Sequence, residues 1–200
     1  MLISNNMLSI KKDKKNKYTL NKEYTNELAS IYYTQFDALY SYGKRFTSDN
    51  FLIEDAIQNV FVNLMLDDKY KKIDNIRNYV LVSFRNELIR LINKSRKHDL
   101  LDQVNEFEFT SEYSENENFE NEELKILRSI ISNYLLKSTT SRQQEIIYLK
   151  YDLGLTYEEI SKILKITIES CRTLAYRTIK KMASDPELLK KLKALKTLSQ

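Results

Sequence analysis

Two sets of side chains in this chain have the types and spacing to hold nucleic acid. Ser170, Arg172, Thr173, Tyr176, Arg177 and Lys180 fall on the outward side of a helix expected to begin after Thr167. Arginine at such positions can address guanine edges or phosphates, and hydroxyls and ring edges can address phosphates or thymine methyls. Tyr176 could alternatively pack within its own domain. The second set is Asn86, Arg90, Asn93, Lys94 and Lys97, which recur every three or four residues and so line one side of a helix. Arg85, Arg96 and His98 flank it, and from Arg85 to His98 five basic residues stand against the single acid Glu87. One basic stripe is usually a solvated face; two independent ones in a chain point to a polyanion.

The elements that must carry these residues are legible as helices. Ser141 to Met182 reads as three short helices, the last two forming a helix-turn-helix whose second member suits a major groove. Ser141 with Gln144, and Thr156 with Glu159, fit capping boxes. Each opens an apolar-periodic run: Ile146, Ile147 and Leu149, then Ile160, Ile163 and Leu164. Lys165-Ile166 makes the turn, and Thr167 caps the third helix, with Cys171, Leu174 and Ile179 expected inward. Three longer helical patterns precede these, at about 26–46, 51–66 and 73–96. The second turns Ile53, Ile57, Val60, Phe61, Leu64 and Met65 inward and Glu54, Asp55, Gln58, Asn59 and Asn63 outward.

Composition agrees with an all-α chain. Two Gly and one Pro in 200 residues leave little turn chemistry for strands. The 42% hydrophobic content can build real cores. The single Cys171 rules out an internal disulfide framework and fits a reducing cytoplasm. No secretory signal is expected, because the Lys run at 11–17 follows the apolar residues it should precede. No stretch reaches the roughly 20 apolar residues of a membrane span, so no membrane insertion is expected.

The net charge of +4 is unevenly spread. Residues 1–24 are a basic arm, whose Lys-rich part at 11–17 is expected to be disordered. Residues 99–141 carry ten acids against three bases, and Asp102 to Glu123 contains no Lys or Arg. Rich in Asn, Ser and Glu, with only scattered Phe107, Phe109, Tyr113 and Phe119, that stretch is expected to resist packing and act as a flexible linker. The fold expectation is therefore two helical domains joined by an acidic flexible linker, with the helix-turn-helix in the C-terminal one. Residues 185–200 read as a Lys/Leu amphipathic helix with Leu188, Leu192 and Leu195 on one side, either packed on its own domain or offered to a partner protein.

Taken in order, these parts resemble a bacterial RNA polymerase sigma factor of the small, two-domain extracytoplasmic-function (ECF) group. Glu54-Asp55-Ala56-Ile57-Gln58-Asn59-Val60-Phe61-Val62-Asn63-Leu64 is similar to the family's core-polymerase-binding helix. Tyr79-Val80-Leu81-Val82-Ser83-Phe84-Arg85-Asn86-Glu87-Leu88-Ile89-Arg90 is similar to the helix that reads and melts the upstream edge of the transcription bubble. Thr156 to Leu164, continuing through Arg177-Thr178-Ile179-Lys180-Lys181, is similar to the helix-turn-helix of the family's fourth region. The chain departs from the pattern at Ser138-Thr139-Thr140, where Leu-Pro is common, at Lys165 in place of the turn glycine, at Glu169, and at Arg90.

The resemblance implies an arm at 1–24 and a second-region domain at 25–98. After these come a linker at 99–122, a fourth-region domain at 123–183 and a tail at 184–200. It implies that Asp55, Gln58, Asn59 and Phe61 dock on core RNA polymerase, Phe61 either packing inward or anchoring. Arg85, Asn86, Arg90, Lys94 and Lys97 would hold the minus-ten region, with 67–75 (Tyr70, Lys71, Lys72) as either a base-capture loop or a plain turn. Ser170, Arg172, Thr173, Tyr176 and Arg177 would read the minus-thirty-five element of promoter DNA. The acidic linker is either a plain tether or suited to lie temporarily in a basic nucleic-acid channel of the polymerase. An anti-sigma factor is a further candidate partner.

No enzyme activity, cofactor or metal is expected. One His and one Cys in separate modules, without a Gly-rich loop, supply neither a nucleophile–base pair nor a metal cluster. The rival reading is a helix-turn-helix transcriptional regulator that does not associate with core polymerase. It would require a receiver or ligand domain before residue 140, which the strand-poor first module does not resemble.

Overall fold

The computed structural model describes residues 22–66, 73–99, 109 and 122–198. Among them there is no strand. The first module consists of α1 (Lys22–Gly43), α2 (Asn50–Leu66) and α3 (Ile76–Asp99). The second consists of α4 (Glu122–Ser138), α5 (Ser141–Ile147), α6 (Tyr157–Leu164), α7 (Ile168–Ser184) and α8 (Pro186–Leu198). A π-helical turn, Tyr148–Asp152, continues α5.

Local chemistry sets the boundaries. The first helix stops at Gly43 rather than running on to Phe46, because the amides of Phe46 and Thr47 turn back onto the Gly43 carbonyl. A side chain at 43 has no room: a Cβ there would stand 2.7 Å from Ile53 Cγ2 and 3.1 Å from Phe84 Cζ. Gly43 is therefore a point where α2 and α3 press closely on α1. Asp49 caps α2, its Oδ1 accepting from the Phe51 amide at 2.9 Å. Asn75 caps α3, accepting from the Asn78 amide at 2.9 Å, which is why that helix begins at Ile76 and not at Ile73.

In the second module the first capping box is Thr140 with Gln143, one residue earlier than Ser141 with Gln144. The displaced Gln144 is buried and donates through Nε2 to the carbonyls of Leu135 and Thr139, both at 3.2 Å. It thereby joins the Thr139 amide and hydroxyl on the Leu135 carbonyl and ties the end of α4 to α5. Thr156 with Glu159 forms the expected box on α6. Asp185 caps α8 ahead of Pro186, accepting from the Leu188 amide at 2.8 Å. That helix packs against α4 through buried Leu188.

The apolar stripes face inward as the periodicity predicts. Tyr42, Ile53, Ile57, Phe61, Phe84 and Leu88 fill the first module, and Ile146, Leu149, Ile160, Ile163 and Cys171 the second. The two sets belong to one contiguous cluster, because the modules pack against each other. The stretch expected as a flexible linker lies almost wholly outside the described residues. Phe109 is described, and it does pack: it is 1% exposed, with its ring 5.1 Å from Phe46, 5.9 Å from Tyr148 and 6.0 Å from Tyr42. An acidic, polar stretch can still seat one aromatic ring where an apolar cage is waiting for it. The expected arm lies outside the described residues except for its last few, which open α1.

Candidate nucleic-acid interface

The helix-turn-helix is α6, a two-residue turn and α7. Buried Ile160, Ile163 and Leu164 hold α6 to the core, and Glu159 returns to the Thr156 amide at 2.8 Å. Lys165 takes the left-handed conformation expected of the missing glycine, at φ 54° and ψ 44°. The Ile166 amide reaches back to the Ser161 carbonyl at 3.2 Å, closing the helix end in the manner of a Schellman motif. A β-carbon in this conformation costs about 1 kcal/mol or more, and the closure bonds and the buried helices on either side hold it there.

Thr167 then caps α7, accepting from the Ser170 amide at 3.1 Å. Cys171, Ala175 and Thr178 face the core, Thr178 by donating its hydroxyl to the Leu174 carbonyl at 2.9 Å. Ser170, Arg172, Thr173, Tyr176, Arg177 and Lys180 are all exposed. Tyr176 is 64% exposed, so it does not pack within its own domain. Arg172 lies 3.8 Å from Glu169, a contact between two exposed chains that water and salt largely screen. Leu174 is half-buried and packs against the core as expected, but one residue expected there behaves otherwise. Ile179 is 39% exposed and lines an open cleft with Ile131, Leu135, Ile147 and Met182. Thr178, one position before Ile179, takes the inward place instead.

The basic face of α3 is divided. Asn86, Arg90 and Lys94 are exposed. Arg90 forks onto Glu87 through two bonds of 2.7 Å, and Asn59 of α2 donates to the same carboxylate at 2.9 Å. The Arg90 hydrogen bond holds the Glu87 carboxyl below its ordinary range; partial burial opposes this and Asn59 assists. Lys97 lies within α3, its side chain outside the described residues.

Arg85 is not on the solvated stripe. Its side chain is 7% exposed and bonds the fully buried Glu145 of α5 through Nε at 2.7 Å and a terminal nitrogen at 3.1 Å. The Tyr42 hydroxyl donates to the same carboxylate at 2.6 Å. Burial works against the Arg85 charge, but the Glu145 bonds and charge outweigh it and hold the guanidinium above its ordinary value. Burial first, and Glu145 second, push the Tyr42 phenol well above its ordinary range. Sequence reasoning missed Glu145 because it sits beside Ile146 and Ile147 as an ordinary charged neighbour. Its hydrogen-bond partners are 60 and 103 residues away, and only a looser ion pair with Arg142, at 3.8 Å, is local.

On the outer face of α2, Asp55 and Gln58 are exposed, whereas Asn59 is half-buried on Glu87. Phe61 is 1% exposed, its ring edge-on to Tyr32 at 5.0 Å, so it packs inward and anchors nothing outside. Phe51 escaped notice in the sequence. It is 81% exposed and stands one turn before Asp55 on the same face. Of the expected capture loop, 67–75, residues 67–72 lie outside the described residues, and its last residue, Asn75, caps α3. Among the described residues no group of three or more His, Cys, Asp or Glu could hold a metal ion. No described helix is long and apolar enough to cross a membrane.

Residues 140–182, the span from the α5 cap to the end of α7, match the family model described as sigma-70, region 4. Comparison with curated proteins finds no match to the chain. The second module therefore contains a sigma-70 region 4 domain of the helix-turn-helix kind, which supports a sigma-type, DNA-binding role in transcription.

Proposed function

We propose that the chain is a sigma factor of the two-domain ECF group. It binds core RNA polymerase, directs it to promoters and helps open the DNA. The observation that carries the reading is the match of residues 140–182 to sigma-70 region 4, coinciding with a helix that exposes Ser170, Arg172, Thr173, Tyr176, Arg177 and Lys180. A second basic face, on α3 of a separate module, gives it company. In this reading Arg172 and Arg177 fork onto guanine edges or phosphates of the upstream element, while Ser170, Thr173 and Tyr176 fix the register of α7 in the groove. Asn86, Arg90, Lys94 and Lys97 contact the downstream element, with Arg85 joining them when it is freed. The Glu87 grip on Arg90 is weak enough in water for a phosphate to displace it. Asp55, Gln58 and the neighbouring Phe51 offer the polymerase a polar face with one apolar anchor. The working compartment is the cytoplasm, where the polymerase is, and an anti-sigma factor is a further partner.

Reconstitution with core polymerase on a genomic promoter library tests this. Initiation is expected at sites with two elements at fixed spacing. Arg172→Ala and Arg177→Ala each weaken upstream-element recognition by about 1–3 kcal/mol while polymerase binding persists. A chain that neither binds core polymerase nor starts transcripts is not a sigma factor.

A further inference from the structure

The region 4 match ends at residue 182, and α8, Pro186–Leu198, lies beyond it. That helix is nevertheless a fixed part of the second module. Leu188 is buried and Leu192 and Leu195 are half-buried, so the leucine stripe is its inner side, and the helix packs on α4 and on α7. A single residue, Asp185, separates it from α7. Lys181, in the last turn of α7, donates to the Ser138 carbonyl at the end of α4, so both helices are held to the same support. The two acids of the tail are engaged at its start, Asp185 on the Leu188 amide at 2.8 Å and Glu187 on Lys191 at 2.9 Å. From Leu188 to Gln200 there is no acid at all. Lys190, Lys193 and Lys196 recur there every three residues, all exposed, and form one inclined row away from the leucines. Between its ends the row rises about 9 Å, which matches two to three phosphates along one DNA strand.

We infer that α8 is a second DNA-holding element, whose lysine row binds backbone phosphates beside the place where α7 enters the groove. It adds affinity and no sequence preference, because phosphates carry no base identity. The inference rests on the DNA contact of α7 in the proposed function. Continuity with that face is the first argument. The outward cations of α7, Arg172, Arg177 and Lys180, lead through one capping residue to a helix whose exposed side is again cationic. Preorganisation is the second. A loose lysine tail must be ordered on binding, whereas the leucine stripe has already fixed this one, so the gain from released counterions is kept. An anionic bilayer would attract the same lysines. A helix lying on a membrane must bury its apolar face in the lipid, however, and here the module occupies that face. Leu189, at 38%, is the one exposed leucine of α8 among the described residues.

The test uses the full chain with core polymerase on a promoter duplex recovered from the genomic library. The parent is compared with the triple variant Lys190→Gln, Lys193→Gln, Lys196→Gln and with the same three positions changed to Arg. Glutamine matches lysine as a helix former, and the positions are exposed, so helix content by circular dichroism is expected to hold. Each phosphate contact contributes about −0.9 to the slope of log affinity on log salt, so three lost contacts make the slope shallower by about 2.7. Between 50 and 200 mM salt the parent's affinity is then expected to fall roughly 40-fold further than that of the glutamine variant. Base preference at the upstream element stays the same, and the arginine variant behaves as the parent. Lys196→Gln alone, in the last turn, is expected to change the slope by about 0.9 and keeps the test valid if the triple variant loses helix content. An unchanged slope overturns the inference and leaves the row merely solvated. A changed base preference overturns it too, since the row is assigned to phosphates. Phosphatidylglycerol vesicles test the lipid: vesicle binding by the chain that the glutamine variant loses, with the DNA slope unchanged, gives the row to a membrane instead. A parent that binds no promoter duplex even with polymerase refutes the sigma reading and this inference with it, whereas binding with an unchanged slope refutes the inference alone.

Discussion

Replacing Glu145 with leucine would leave a guanidinium and a phenol facing an apolar side chain at a site with almost no water. In the parent chain the Glu145 side chain is fully buried and Arg85 is 7% exposed, joined by two hydrogen bonds, with Tyr42 supplying a third. Removing one partner of such a pair typically costs about 3–5 kcal/mol, because the remaining charge stays desolvated. The orphaned Tyr42 hydroxyl would add about 1–3 kcal/mol if nothing moved. The modules can separate, however, and solvate both groups, so the loss is expected at about 3–5 kcal/mol. Against a total stability of about 5–15 kcal/mol that is a large fraction. The informative assay is a double-mutant cycle by urea unfolding, with Glu145→Leu, Arg85→Met and the pair together. The double variant removes both charges and is expected to recover at least about 2 kcal/mol of the loss, since apolar replacement of a buried pair is often near neutral. Additivity within about 0.5 kcal/mol would mean that the two residues do not meet in solution, and the account of the interface would fail.

Other expectations follow from single sites. Lys165→Gly relieves the left-handed conformation at an exposed position. It should stabilise the second module by about 1 kcal/mol, raising Tm by about 2–4 °C, so a lower Tm would contradict the geometry of the turn. Gly43→Ala places a methyl 2.7 Å from Ile53 Cγ2 and should cost about 1–3 kcal/mol by denaturant unfolding, whereas a neutral change would mean the three helices do not meet there. Thr140→Ala removes the cap of α5 and should cost about 1 kcal/mol. Ser141→Ala, inside the helix, should fall within about 0.5 kcal/mol of the parent, and the reverse order would restore the capping box that the sequence first suggests.

What could be read from the sequence was whatever depends on neighbours along the chain. Helical periodicity placed Ile53, Ile57, Val60 and Phe61 inward. Thr156, Glu159 and Thr167 announced their helix starts, and Lys165-Ile166 announced a turn, because caps and turns are made within four or five residues. The outward face of α7 was legible for the same reason: a helix that packs one side must expose the other. Thr140 and Gln143 show how narrow that legibility is, since Ser141 and Gln144 fit the same pattern one step later. Only the need for Gln144 to bond Leu135 and Thr139 chooses between them. What depends on residues distant in sequence was not legible. Arg85 reads as one more base on a solvated stripe until Glu145, sixty residues on, is placed against it. Phe109 reads as a stray aromatic in a polar tether until Tyr42, Phe46 and Tyr148 form a cage around it. Sequence alone determined the helices, most of their caps and the outward face of α7, because these are local in hydrogen bonding and period. Tertiary structure alone decided which of the basic residues stay in water. Burying a charge is tolerable only where a partner is delivered to it, and that delivery requires the two modules to pack.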